Sequence, residues 1–188
     1  SEESLRLAAG QLHSSLRRGM MTERSLEILA GVVKTSSSHH AFLSRELFSS
    51  VLALVPTLEG DFLTYGLEAV SRGVDEGNAL EVYQTILPLL SRGRLLSSEN
   101  AHVGSIAAAL DLIGRLFAVP EVKTKMNHDE WAVSLRVLFL HHPGTSIRIK
   151  CFELLVLEGG DASPETLAGL SDASPLVQAR VFDFWERA

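Results

Sequence analysis

The chain has 188 residues, of which 46% are hydrophobic, with one cysteine and a formal net charge of −6 at pH 7. That length suits one compact domain or a short repeat array with a real core. No apolar run approaches the ~18 residues of a membrane span, the acidic start Ser1-Glu2-Glu3-Ser4 is unlike a signal peptide, and the negative charge repels nucleic-acid phosphate.

Read in order, the apolar spacing predicts helix after helix. Leu5, Ala9, Leu12 and Leu16 form a narrow stripe ending near Gly19. Thr22 can cap a second helix carrying Leu26, Leu29 and Val33, and Thr35-Ser36-Ser37-Ser38 reads as a linker whose last serine caps a third. That third helix is expected to run to about Val55, where Pro56 ends it. Gly60 and Asp61 restart the pattern, with Asp61 as cap and Phe62, Leu63, Tyr65, Ala69 and Val70 as apolar positions. After a turn over Gly73 to Asn78, a helix from Ala79 to about Ser91 contains Pro88, which removes a backbone donor and should bend the axis.

Ser91 to Asn100 reads as a loop, and Ser97 or Ser98 can cap the longest helix, ending at Val119. Val103, Ile106, Leu110, Ile113 and Phe117 make a tight seam there, and Ala107-Ala108-Ala109 lets a neighbour approach closely. Pro120 begins a short helix through Met126. Gly159 to Pro164 is a break before a helix over Glu165 to Leu170. No run alternates with period two for long enough to suggest a strand, so the expected class is all-α.

Trp131 to Leu157 is the most informative stretch. Trp131, Leu135, Leu138 and Phe139 share one helical stripe, and the break His141-His142-Pro143-Gly144-Thr145 stops that helix. Thr145 or Ser146 can cap the next, in which Ile147, Cys151, Leu154 and Leu155 form one stripe and Ile149, Phe152 and Val156 another. A helix apolar on two sides needs partners on both. Shifted by thirty residues, Thr145 to Leu155 falls on Pro175 to Trp185, pairing Ile147 with Val177, Lys150 with Arg180, Phe152 with Phe182 and Glu153 with Asp183. A fainter copy offset by forty-two sets Leu110-Asp111-Leu112-Ile113 over Phe152-Glu153-Leu154-Leu155. Degenerate self-similarity at such periods is the mark of stacked helical hairpins.

From Trp131 to Trp185 the chain resembles the HEAT and armadillo superfamily, above all in HHPGTSIRIKCFELL and the looser Ser174-Pro175-Leu176-Val177-Gln178-Ala179-Arg180. The resemblance implies a right-handed superhelical stack of antiparallel helix pairs, an α-solenoid of about nine or ten helices spanning 1–188 as one helical-repeat domain. It brings no catalytic or ligand residue. The chain stops inside an apolar helix, Phe-Asp-Phe-Trp-Glu-Arg-Ala, which suggests a piece of a longer chain and predicts that Phe184 or Trp185 packs on the preceding pair.

Signals for chemistry are weak. The pairs His39-His40 and His141-His142 are adjacent residues, which point about 100° apart on a helix and cannot chelate as i, i+4 histidines do. Cys151 sits in an apolar stripe, as a buried thiol in a reducing compartment would. There is no Gly-rich phosphate loop, Gly-x-Ser-x-Gly or Cys-x-x-Cys. Arg17-Arg18 and Arg92-Gly93-Arg94 lie at helix ends, where the helix dipole alone favours cations. These readings describe a non-enzymatic intracellular scaffold or adaptor, cytoplasmic or nuclear, without a cofactor or a metal. It would bind a peptide or helix of another protein through a helical-repeat surface. Arg148, Lys150, Glu153, Gln178 and Arg180 are the expected lining, the competing reading being surface charges linked by ion pairs. Alternatives are a homodimerising or capping domain of a larger assembly and, behind it, a nucleic-acid-associated adaptor.

Overall fold

The computed structural model describes residues 7, 10, 11, 14, 15, 45–91, 102–125, 128–159 and 168–187. Of the expected first helix only residues 7, 10, 11, 14 and 15 are described, all of them helical; the second helix, the serine linker, His39-His40, both arginine clusters and the Ser97 or Ser98 cap lie outside the described residues, as does most of the 159–170 break and helix. Eight α-helices are described: α1 (Arg45–Leu54), α2 (Gly60–Gly73), α3 (Ala79–Ser91), α4 (Val103–Phe117), α5 (Pro120–Lys125), α6 (His128–His141), α7 (Thr145–Gly159) and α8 (Pro175–Arg187). No strand occurs among the described residues, and none of their helices is long and apolar enough to cross a membrane.

Most boundaries follow from local chemistry. Pro56 does end α1, but through a 3-10 turn, Val55–Thr57, in which the Thr57 hydroxyl donates back to the Leu54 carbonyl. Asp61 is not the cap of α2. Glu59 holds that position without a side-chain bond, Gly60 takes φ +55°, and Asp61 falls in the first turn. Between α2 and α3, Asp75 and Asn78 cap reciprocally: the Gly77 and Asn78 amides donate to Asp75 Oδ1 at 2.9 and 3.0 Å, and the Asp75 amide donates to Asn78 Oδ1 at 2.9 Å. Helix α3 continues through Pro88, which lies on its exposed side together with Gln84.

The helices enclose one continuous core: α2 packs on α4, α4 on α7 and α7 on α8, while α3 packs on α1, α5 and α6, α1 also packs on α2, and α6 on α7. The core runs unbroken from Phe48 in α1 to Val181 in α8. Small residues permit the close α2–α4 approach: Ser105, Ala108 and Ala109 are buried on α4, and Gly104 lies where a Cβ would come within 3.1 Å of the Thr64 hydroxyl. The α4 seam is Ile106, Leu110, Ile113 and Phe117 as expected, with Leu112 and Leu116 added. Val103 is exposed and takes no part.

Helix α7 packs against α4, α6 and α8. Ile147, Cys151 and Leu154 are buried on one side, while Ile149 and Val156 are partly buried and Phe152 fully buried on the other. Phe139, Phe152 and Phe184 form an aromatic line across α6, α7 and α8, with centroids 5.8 Å apart in the first pair and 5.9 Å in the second. Phe184 therefore packs edge-on against the preceding helix, at 84°.

Candidate functional site: the seam of α7 with its neighbours

The five residues expected to line a partner groove all act between elements of the chain itself. Arg148 is buried, with 9% of its surface accessible. Its Nε and Nη2 donate to the two carboxylate oxygens of Asp172 at 2.8 Å each, and its Nη1 donates to the His142 and Pro143 carbonyls at 2.7 and 3.1 Å. Every nitrogen of the guanidinium is thereby committed, so Arg148 is withdrawn from the docking surface and is instead a fastener between two turns. These hydrogen bonds hold the Asp172 carboxyl below the usual aspartate range, against the opposing effect of burial and with help from the Ser174 amide.

The other four repeat the theme. Lys150 on α7 pairs with Asp111 on α4. Glu153 on α7 pairs with Arg180 on α8 at 2.6 Å. Gln178 Nε2 donates to the Asp172 carbonyl at 2.6 Å. An ordered series results: the acid of α4 takes the base of α7, and the acid of α7 takes the base of α8. The series uses the residues that the sequence offsets align, since Asp111 matches Glu153 and Lys150 matches Arg180.

The thirty-residue offset also holds atom by atom in the turns. His142 Nδ1 accepts the Gly144 amide at 3.0 Å, and Asp172 Oδ1 accepts the Ser174 amide at 2.7 Å. The Gly144 carbonyl accepts from the Ile147 and Arg148 amides, and the Ser174 carbonyl from those of Val177 and Gln178. Gly144 and Ser174 are thus the capping positions, and Thr145 enters the first turn of α7. Arg148 and Gln178 then reach back to the carbonyls of His142 and Asp172 respectively. His142 is buried and His141 exposed, which separates the adjacent pair.

A cleft of about 370 Å³ opens beside the Glu153–Arg180 pair. Phe152, Val156 and Phe184 form its apolar floor, Glu153 and Arg180 its charged rim, and Leu157 and Asp183 its mouth. Leu157 is 61% exposed. An apolar floor with a few polar groups at the edge suits one anchoring side chain of a partner. Sequence reasoning placed two of these residues, Glu153 and Arg180, and gave Phe152 and Val156 to packing. The cleft lies where the Phe184 ring packs edge-on against Phe152, a matter of packing that no residue spacing records.

Groups that could serve chemistry are occupied elsewhere. Burial pushes the Cys151 thiol up to about 12, leaving it protonated and unreactive at neutral pH. No group of three or more His, Cys, Asp or Glu among the described residues could hold a metal ion. A cluster absent from the sequence reading joins α2 to α4. His102 Nε2 lies 3.1 Å from Asp61 Oδ1 and its Nδ1 lies 3.4 Å from the Thr64 hydroxyl, which meets Ser105 Oγ at 2.9 Å; Ser105 donates to the Gly60 carbonyl at 3.0 Å. Asp61 and His102 stand in open water, and the buried hydroxyl of Ser105 spends its proton on a backbone carbonyl. This geometry ties two helix N-termini together.

No protein family, curated protein or solved structure matches the chain.

Proposed function

We propose that this chain is a non-enzymatic protein-interaction module, a right-handed α-solenoid of the HEAT and armadillo kind, and that a helix or peptide of a partner anchors in the α7–α8 cleft. The stacked reading is supported by the pairwise row α2, α4, α7, α8 and by the atom-for-atom equivalence of the two turns thirty residues apart. The cleft carries the functional part, because it couples an apolar floor to a charged rim on an open seam. Glu153 and Arg180 keep a role at the rim through charges a partner can share, Lys150 and Gln178 offer an ammonium and an amide outside its lining, and Arg148 serves the fold. The bases of this seam already face carboxylates, which favours protein over nucleic acid as partner. An intracellular setting, cytoplasmic or nuclear, agrees with a buried reduced thiol.

A photo-crosslinking residue at Leu157 tests the reading against the same group at exposed Thr124 on α5. A discrete adduct at Leu157, abolished by Val156→Arg and missing at Thr124, is the expected result. Equal labelling at both positions sinks the cleft.

A second reading, self-association, draws on a separate observation. Val133, Val137 and Leu140 form an exposed stripe on α6, on the side away from Leu135, Leu138 and Phe139. Light scattering across concentration decides it: a monomer throughout removes this reading.

A further inference from the structure

We infer that the outward face of α8 is a docking site for a basic amphipathic helix of a partner protein, seated on α8 as α8 is seated on α7. The inference rests on the reading of the chain as an interaction module and names a partner class for it. On α7 the side that receives α8 presents Phe152, Ile149 and Val156 with the acid Glu153 beside them. Phe184 of α8 packs on Phe152, and Arg180 of α8 pairs with Glu153 at 2.6 Å. Thirty residues later the equivalent positions are Phe182, Ala179, Glu186 and Asp183, and all four are exposed. Phe182 is 55% accessible and the adjacent Trp185 46%.

The charges specify the occupant. Asp111 takes Lys150 and Glu153 takes Arg180, each an acid receiving the base of the next helix in the row. Asp183 is the next acid in that series. Glu186 stands where α7 has Val156, which places a second acid one turn from Asp183. A helix that buries an apolar stripe on Phe182 and brings one cation to Asp183 and a second toward Glu186 completes the pattern. A second copy of the chain docking through the same face brings two acidic rows together, which like-charge repulsion opposes. Nucleic acid is repelled for the same reason.

The probe is a fluorescein-labelled, helix-stapled peptide copying Pro175 to Arg187, which carries Arg180 and the apolar stripe that α7 already accepts. Its anisotropy is followed on titration with the full chain. Saturable binding is expected, weakened about tenfold or more by Asp183→Arg and by Phe182→Ser, as for loss of a charged interface contact and of an apolar anchor. A peptide carrying Arg180→Glu should regain affinity for the Asp183→Arg chain. Four outcomes overturn the proposal: no saturable binding, indifference to Asp183→Arg, dependence on Glu153→Arg instead (the peptide exchanging with α8 itself), or a dimer lost on Phe182→Ser. A specific adduct at Leu157 alongside any of these leaves the cleft reading standing and removes only the α8 site.

Discussion

Arg148 and Asp172, 24 residues apart in sequence, close a two-bonded ion pair in which each side chain is only 11% exposed. The pair joins the turn before α7 to the turn before α8, and the remaining Arg148 nitrogen is spent on the His142 and Pro143 carbonyls. Such a charge is costly to strand. Removing Asp172 leaves a guanidinium buried without its counter-ion, a loss of about 3–5 kcal/mol. Arg148→Ala and Asp172→Ala should each lower the urea midpoint steeply, and the double variant should cost far less than the sum of the two. Additive losses would show that the residues act separately.

The same pair gives the fold an acid sensitivity with a definite sign. The Asp172 carboxyl is held below its ordinary value in the folded chain, so its contribution is complete above the unfolded aspartate pKa of about 3.9. It is lost as the pH falls below about 4 and through the lowered folded value. Unfolding free energy measured between pH 6 and pH 3 should fall less in Asp172→Asn than in the parent chain. Parallel curves would remove Asp172 from the account.

Gly169 is a site of steric necessity. A Cβ there would lie 2.7 Å from Val181 Cγ2 and 2.9 Å from Phe139 Cζ, both on fully buried side chains. Gly169→Ala should therefore destabilise by about 1–3 kcal/mol, as overpacked cores do. Gly60 offers the contrast, since its hypothetical Cβ meets nothing within 4 Å and only its φ of +55° matters. Gly60→Ala should cost about 1 kcal/mol through backbone strain. Thermal melts that reverse this order would refute the packing of the 168–170 segment on α8.

Aligned phenylalanines should behave oppositely. Phe152→Ala opens a cavity between two rings and should cost about 3–5 kcal/mol. Phe182→Ala, at the equivalent position thirty residues on, should change stability by less than about 0.5 kcal/mol because its ring is largely in water. Similar losses at both positions would mean that the α8 face is covered.

Cys151 should resist a thiol reagent in the native chain and react fully in denaturant. Its burial raises the thiol to about 12 and removes both access and thiolate. Stoichiometric labelling without denaturant would contradict the buried position.

Helices and their apolar faces were legible because periodicity is a local property of neighbouring residues. The two-sided character of α7 and the thirty-residue echo were visible for the same reason. Arg148 was misplaced because its partner, Asp172, is brought to it by a turn whose geometry the helix pattern does not contain. An arginine between two isoleucines reads as solvated until the acid beside it is known. Asp61 reads as a cap on residue type, whereas the chain begins α2 at Gly60 and gives Asp61 to His102 across the gap to α4. The cleft was invisible for a further reason: it is an absence of atoms, and composition records only those present.

The matching hydrogen bonds of the two turns have a consequence for how the molecule comes apart. Arg148 holds its own turn and the succeeding one at once, so neither can open without orphaning a charge in the other. Stacks whose units touch only through apolar surfaces can fray from one end in steps. Here the last two helices should exchange their amide protons together, as a single cooperative unit, and uncoupling Arg148 from Asp172 should let α8 open ahead of α7.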